Sequence, residues 1–200
     1  YGISRAGAIG RPVPGHEVAI IDDHGQRLEA GVQGQIAVRS PDPVMFFEQK
    51  SLYPIKGEVP DGEYVDELGT AKVLRDGGDV TIVALAAMVP RAMKAAEELS
   101  AAHGIEATVV DVRSLVPLDT QTILAEVAKT GRLITVEENP RLCGWGAEIS
   151  SIVAEEMFYD LDGPIVRITT PHIPLASADQ LEELMIPSVD RIYQEVRRTV

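Results

Sequence analysis

The sequence predicts an α/β fold: a three-layer αβα sandwich around a five-stranded, mixed but mostly parallel sheet, plus a small N-terminal β-hairpin segment. Three observations carry this. From residue 67 onward, short β-type runs alternate with helical patterns, which implies parallel pairing through right-handed crossovers. Gly104 and Gly131 fall where helical patterns stop, as left-handed caps require. Ahead of residue 43, by contrast, two β-type runs are separated only by turn residues.

In chain order, residues 16–21 alternate loosely and residues 35–39 alternate well, with Asp22-Asp23-His24-Gly25 and Ala30-Gly31 as turns. A hairpin of two or three strands is expected, marginal without a partner surface. Val44-Met45-Phe46-Phe47 reads as one buried strand, and Leu52-Tyr53-Pro54 through Pro60-Asp61-Gly62 as an extended linker. Residues 71–75 and 80–85 flank Asp76-Gly77-Gly78-Asp79; the central glycines permit a tight turn, so these two strands are expected to pair antiparallel. Pro90 suits a first helical turn. Ala92, Met93, Ala96 and Leu99 follow at helical spacing.

Residues 107–112 form the next predicted strand. Asp119 can cap a helix carrying Ile123, Leu124 and Val127, ended by Gly131. Residues 133–136 read as a strand running into Glu137-Glu138. A helix after Gly146 carries Ile149, Ile152, Val153 and Met157, and residues 165–169 make the last strand. Two helices close the chain: a short one over 180–184, and one capped by Ser188 with Val189, Ile192, Tyr193 and Val196 inward. Three segments result: a hairpin over 1–42, a proline-rich connection over 43–66 and the α/β domain over 67–200.

The formal net charge is -13, from 31 acidic and 18 basic residues. That balance argues against nucleic acid or an anionic membrane as partner, since both need a positive field. No apolar run approaches the roughly 20 residues of a membrane span. Cys143 is the single cysteine, so no internal disulfide can form, which fits a reducing, cytoplasmic setting. The opening residues show neither Met nor the apolar segment of a signal peptide, and the chain reads as a soluble piece of something longer.

Glu137 and Glu138 stand at the carboxyl end of a predicted parallel strand, where ligands sit in open α/β sheets. Neighbouring strand residues point to opposite faces, so the two carboxylates cannot form one acid/base dyad. Either one of them meets a ligand or a neighbouring subunit, or one braces the loop that follows. Cys143-Gly144-Trp145-Gly146 precedes a helix and invites a phosphate-cradle reading. A lone Gly-x-Gly without the lysine and hydroxyl of a nucleotide loop is better explained by tight packing. Cys143 has no histidine nearby in sequence and is expected to be buried as a small apolar residue. His16, His24, His103 and His172 lie far apart without metal-ligand spacing. His103 suits the last turn of its helix, and His172, between Pro171 and Ile173-Pro174, is the best contact candidate among them. No catalytic, cofactor-binding or metal-binding residue stands out.

Several ordered stretches resemble the β subunits of thiamine-dependent 2-oxoacid dehydrogenases. They are Pro43-Val44-Met45-Phe46-Phe47-Glu48-Gln49-Lys50-Ser51-Leu52-Tyr53, Gly78-Asp79-Val80-Thr81-Ile82-Val83, Val112-Arg113-Ser114-Leu115-Val116-Pro117-Leu118-Asp119, Glu137-Glu138-Asn139 and Ile186-Pro187-Ser188-Val189-Asp190-Arg191. Arg167-Ile168-Thr169-Thr170-Pro171-His172-Ile173-Pro174 resembles the acetoin and pyruvate branches most. The resemblance implies a transketolase C-terminal domain over 67–200, preceded by the end of a pyrimidine-binding domain. It implies a heterotetramer with an α subunit and a second β subunit, and docking to a dihydrolipoyl acyltransferase core. Thiamine diphosphate and magnesium belong to the parent complex, and none is expected on this chain alone, because the family's catalytic glutamate and histidine lie upstream of Pro43. The family's docking end makes Val200 a contact candidate beside Glu137, Glu138 and His172. The Pro43–Tyr53 stretch speaks against transketolase itself or a deoxyxylulose-phosphate synthase.

Residues 1–42 resemble another family. Gly10-Arg11-Pro12-Val13-Pro14-Gly15, Ile21-Asp22-Asp23-His24-Gly25 and Gly34-Gln35-Ile36-Ala37-Val38-Arg39 are similar to adenylate-forming acyl-CoA synthetases. Arg5 stands where that family carries a magnesium-binding glutamate, and its later Tyr-x-Thr-Gly-Asp motif is missing, so ligase activity is not expected. The two resemblances meet at Pro41-Asp42-Pro43-Val44-Met45-Phe46. That seam implies a hybrid, joined by recombination, by engineering or in assembly of the sequence. The alternative to a β-subunit role is an interaction module or an inert fragment.

Overall fold

The computed structural model describes residues 17–21, 24, 26, 35–39, 45–56 and 68–200. The chain divides into two compact units, Tyr1–Leu68 and Gly69–Val200.

In the first unit, β1 (Glu17–Ile21) pairs antiparallel with β2 (Gln35–Arg39), Ala19 opposite Ala37. The synthetase-like stretches at 1–5 and 10–15 lie outside the described residues. The buried strand expected over Val44–Phe47 is corrected where it is described. Residues 45–49 are irregular, with Met45, Phe46 and Phe47 exposed, and a 3-10 turn follows at Lys50–Leu52. Apolar composition alone suggested a strand there, and among the described residues no neighbouring strand supplies the ladder that a buried strand needs. Val44 and residues 57–67 are outside the described residues.

The second unit contains β3 (Lys72–Arg75), β4 (Val80–Ala84), α1 (Met88–His103), β5 (Ala107–Asp111), α2 (Thr120–Thr130), β6 (Leu133–Pro140), α3 (Trp145–Met157), β7 (Val166–Thr170), α4 (Asp179–Met185) and α5 (Val189–Thr199). The sheet order is β3-β5-β4-β6-β7. The last four strands in that order are mutually parallel, and β3 is antiparallel at the edge. This is the five-stranded mixed sheet the sequence predicts. All five residues of β4 are buried, as a central parallel strand covered on both faces requires.

The expected hairpin between β3 and β4 does not form. β3 pairs with β5, Lys72 opposite Asp111, and so lies one strand away from β4. Neither Gly77 nor Gly78 adopts positive φ. Gly77 serves close approach instead: a Cβ there would overlap the backbone of Glu106 and Ala107. Thr108 Oγ1 accepts from Gly77 N at 2.9 Å and donates to Gly77 O at 2.8 Å, pinning the connection across the start of β5.

The helices cover both faces. Met88, Ala92, Ala96 and Leu99 of α1 and Ile192 and Val196 of α5 share one core with Val80, Ile82 and Ile134. Ile123 and Val127 of α2 and Ile149, Val153 and Met157 of α3 share the other with Val83, Val110 and Leu133. The caps follow the sequence. Asp119 Oδ1 accepts from Thr122 N at 3.0 Å, Ser188 Oγ accepts from Arg191 N at 3.2 Å, and Gly104 and Gly131 close α1 and α2 in the left-handed conformation. Among the described residues, no helix is long and apolar enough to cross a membrane.

Candidate functional site

The carboxyl ends of the parallel strands gather the unusual features of the unit. The chain leaves β4 toward one face, to α1, and leaves β5 and β6 toward the other, to α2 and α3. Such a divergence opens the crevice where open α/β sheets bind ligands. Among the described residues, three non-glycine residues have positive φ: Ala86, Arg113 and Cys143. Each follows one of these three strand ends, and backbone held in that region concentrates at functional positions.

Glu137 fills the crevice at β6. Its side chain is fully buried and every close partner donates to it. Arg167 Nε reaches Oε1 at 2.8 Å and Nη2 reaches Oε2 at 2.9 Å. Thr135 Oγ1 donates to Oε1 at 3.0 Å, and Asn139 Nδ2 and Gly146 N donate to Oε2 at 3.0 and 3.1 Å. Burial alone would push the pKa of this carboxyl up. The Arg167 and Asn139 hydrogen bonds, the Gly146 N–H and the Arg167 charge outweigh it and hold the pKa below the ordinary range.

The same cluster explains the glycines before α3. A Cβ on Gly144 or Gly146 would overlap the Glu137 carboxylate, and one on Gly144 would also meet Arg167 and Asn139. The phosphate-cradle reading therefore fails, because the free N–H at the start of α3 already has an internal anion. Glu137 braces the loop between β6 and α3.

Glu138 is half-buried and its backbone oxygen accepts from Thr170 Oγ1 at 2.5 Å. His172 is exposed in the loop after β7, and Val200 is partly exposed at the end of α5. The structure thus places Glu138 beside the end of β7 that leads to His172, leaves Val200 at the end of α5, and turns Glu137 inward. His103 does sit in the last turn of α1, where Nε2 lies 2.7 Å from the Tyr193 hydroxyl. Cys143 is a correction: it is exposed, not buried. Its left-handed backbone lets Gly144 turn into the space beside Glu137 while the thiol side faces outward. Sequence reasoning missed Arg167 as the partner of Glu137. The available signal was a lone cation inside the apolar run of β7, across the sheet from Thr135.

Asp111, at the end of β5, behaves oppositely to Glu137. Burial pushes its pKa up, and the Arg113 N–H with the charges of Arg113 and Lys72 only partly offsets this. Among the described residues no group of three or more His, Cys, Asp or Glu side chains could hold a metal ion. With the Gly146 N–H taken by Glu137 and no room beside Gly144, the start of α3 offers no free cradle for a diphosphate.

A domain with this strand order, three layers deep, defines a class. The sequence pattern described as "Transketolase, C-terminal domain" matches residues 69–192, and the chain belongs to that family. It is 44% identical over 164 residues to the β subunit of acetoin:2,6-dichlorophenolindophenol oxidoreductase from Cupriavidus necator, covering 82% of this chain and 48% of that protein. It is 45% identical over 166 residues to a mitochondrial pyruvate dehydrogenase E1 β subunit of Oryza sativa, covering 81% and 44%. A solved split-gene transketolase, an inactive β4 tetramer, superposes with a TM-score of 0.61 at 32% identity, over 68% of this chain and 44% of that one. The chain spans about half the length of the relatives it matches. The 164-residue match is longer than the second unit and so reaches into the first.

Proposed function

We propose that this chain is part of the β subunit of a 2-oxoacid dehydrogenase of the pyruvate, acetoin or branched-chain type, contributing subunit assembly and docking. The observation that carries this is the 164-residue likeness to such β subunits, which runs past the α/β unit into the segment before it. The parent reaction would be oxidative decarboxylation of a 2-oxoacid, or acetoin cleavage, with thiamine diphosphate and magnesium. In this reading the cofactor is held by other parts of the complex, because Glu137 occupies the one helix start that resembled a phosphate site. The α subunit, a second β subunit and the acyltransferase core are the partners, in the cytoplasm. Glu138, His172 and Val200 remain the contact candidates, and exposed Val116, Leu142 and Ile173 add apolar surface beside the strand ends. The strand pair β1–β2 belongs in this reading to the synthetase-like segment joined upstream.

Two measurements test it. A decarboxylation assay with a matching α subunit, thiamine diphosphate and magnesium should give only background turnover, and turnover above background overturns the non-catalytic part. Co-purification with the α subunit or with the small subunit-binding domain of the acyltransferase supports assembly. Capture of neither leaves an inert fragment and overturns the docking role.

A further inference from the structure

We propose that the cavity between the outer edge of β7 and α5 binds a phosphate-class dianion through Arg141, Arg167 and Arg191. The cavity, half open to solvent, has a volume of about 320 Å³ and is lined by those three arginines with Ile165, Val166, Ile168 and Glu195. It lies wholly within the second unit, so it goes beyond the β-subunit reading and stands without it.

The charges in this cavity do not cancel. Arg167 is balanced by Glu137, which takes its Nε and Nη2, while Arg141 O accepts a second bond from Nη2 at 3.1 Å. Only Nη1 is left over. Glu195 is balanced by Arg198, whose Nη2 donates to it at 2.6 Å. Arg141 and Arg191 have no side-chain partner among the described residues. Two arginines without a side-chain ion-pair partner among the described residues therefore line one cavity together with Glu195, in a chain whose formal net charge is -13. Asp190, next to Arg191, lines a separate hollow with Glu98 and Tyr193 and does not neutralise this one.

Each element has a distinct part. Arg167 is fixed: its side chain is only 10% exposed and its fork is clamped by Glu137. Its remaining nitrogen, Nη1, is held in place by that clamp and left free to donate. Arg141 follows the β6 end and Arg191 lies in the first turn of α5; both are exposed and can close on a ligand from the rim. A fork of N–H donors matches the oxygens of a phosphate better than a point charge does. Two unmatched positive charges favour a doubly charged oxyanion over a single carboxylate.

The test is calorimetric titration of the whole 200-residue chain with inorganic phosphate, slightly above neutral pH and at fixed ionic strength. Saturable one-to-one binding is expected. Arg141→Ala and Arg191→Ala should each weaken it about tenfold, the loss expected for one charge-assisted contact. Lys129→Ala, which removes an equal charge elsewhere, should leave affinity within about twofold. Both arginines are exposed, so circular dichroism of the variants should match the parent. Absence of saturable binding at millimolar phosphate overturns the proposal, as does an equal loss in Lys129→Ala. Acetate binding as tightly as phosphate overturns the dianion assignment.

Discussion

The two ends of the five-stranded sheet are closed by different chemistry. At the amino end, hydroxyls and glycines meet backbone. Thr81 Oγ1 donates to Glu126 O at 2.9 Å and lies 2.8 Å from Thr130 Oγ1, Thr108 holds Gly77, and Gly131 O accepts from Asp162 N at 2.8 Å. At the carboxyl end, a buried ion pair, a half-buried aspartate and three positive-φ residues do the closing. The buried contacts of the amino end are neutral hydrogen bonds, and its charged pairs, Arg75 with Glu106 and Arg132 with Asp162, have their carboxylates exposed. The charged end depends on pH and carries strained backbone, which is where contacts with other molecules are expected to concentrate.

The sharpest way to break this contrast is Glu137→Leu. It leaves Arg167 charged and unpaired beside a buried wall, and removing one partner of such a pair costs about 3–5 kcal/mol. Urea denaturation should show a loss of that order. A loss below about 1 kcal/mol, the range of a surface pair, would mean that charge is not what holds the β6–α3 loop. The amino end is tested by neighbouring glycines. Gly77→Ala forces a methyl into the Glu106–Ala107 backbone, and overpacking of this kind costs about 1–3 kcal/mol. Gly78→Ala meets open space and should change stability by no more than about 0.5 kcal/mol. Equal effects at the two positions would show that the close approach is not tight.

The pH dependence sharpens the carboxyl end. Glu137 has a depressed folded pKa, so its contribution is complete above the ordinary glutamate range and disappears as pH falls through the depressed value. Asp111 has a raised folded pKa. The folded state then holds its proton more tightly, and this group lowers stability as pH rises from its unfolded to its folded value. Asp111→Asn should therefore stabilise the unit at neutral pH, with the gain fading as pH falls from the raised folded value towards the ordinary aspartate value and absent below it. Denaturation midpoints measured across that range check the sign, and a gain that grows on acidification would contradict it. The smallest effect is expected at Cys143→Gly. It relieves a left-handed backbone strain of about 1–2 kcal/mol but adds about 0.5–1 kcal/mol of unfolded-chain entropy. A net gain of a few tenths of a kcal/mol would show in the thermal midpoint, and a net loss would mean that φ at Cys143 carries no strain.

Much of the second unit was legible because local chemistry sufficed. Asp119, Ser188, Gly104 and Gly131 mark helix ends by groups that satisfy the nearest backbone, and the apolar stripes of α1 and α5 follow helical spacing. Local chemistry misled at two places. The Asp76–Asp79 turn looked like a hairpin, yet its glycine faces β5, thirty residues further on. Met45–Phe47 looked like a strand but is exposed, because apolar composition does not report whether a partner strand exists. At the candidate site, Glu137 was legible as a strand-end carboxylate. Its direction was not, since a brace and a contact residue look the same until Arg167 is found.

The sequence by itself determined the alternation of strands and helices, the cap positions and the family likeness, all of which are written within a few turns of chain or in ordered motifs. Tertiary structure alone decided which strand β3 joins, which way Glu137 points and which arginines share a cavity. Those depend on residues brought together from distant parts of the chain by sheet order, and no local periodicity encodes that order.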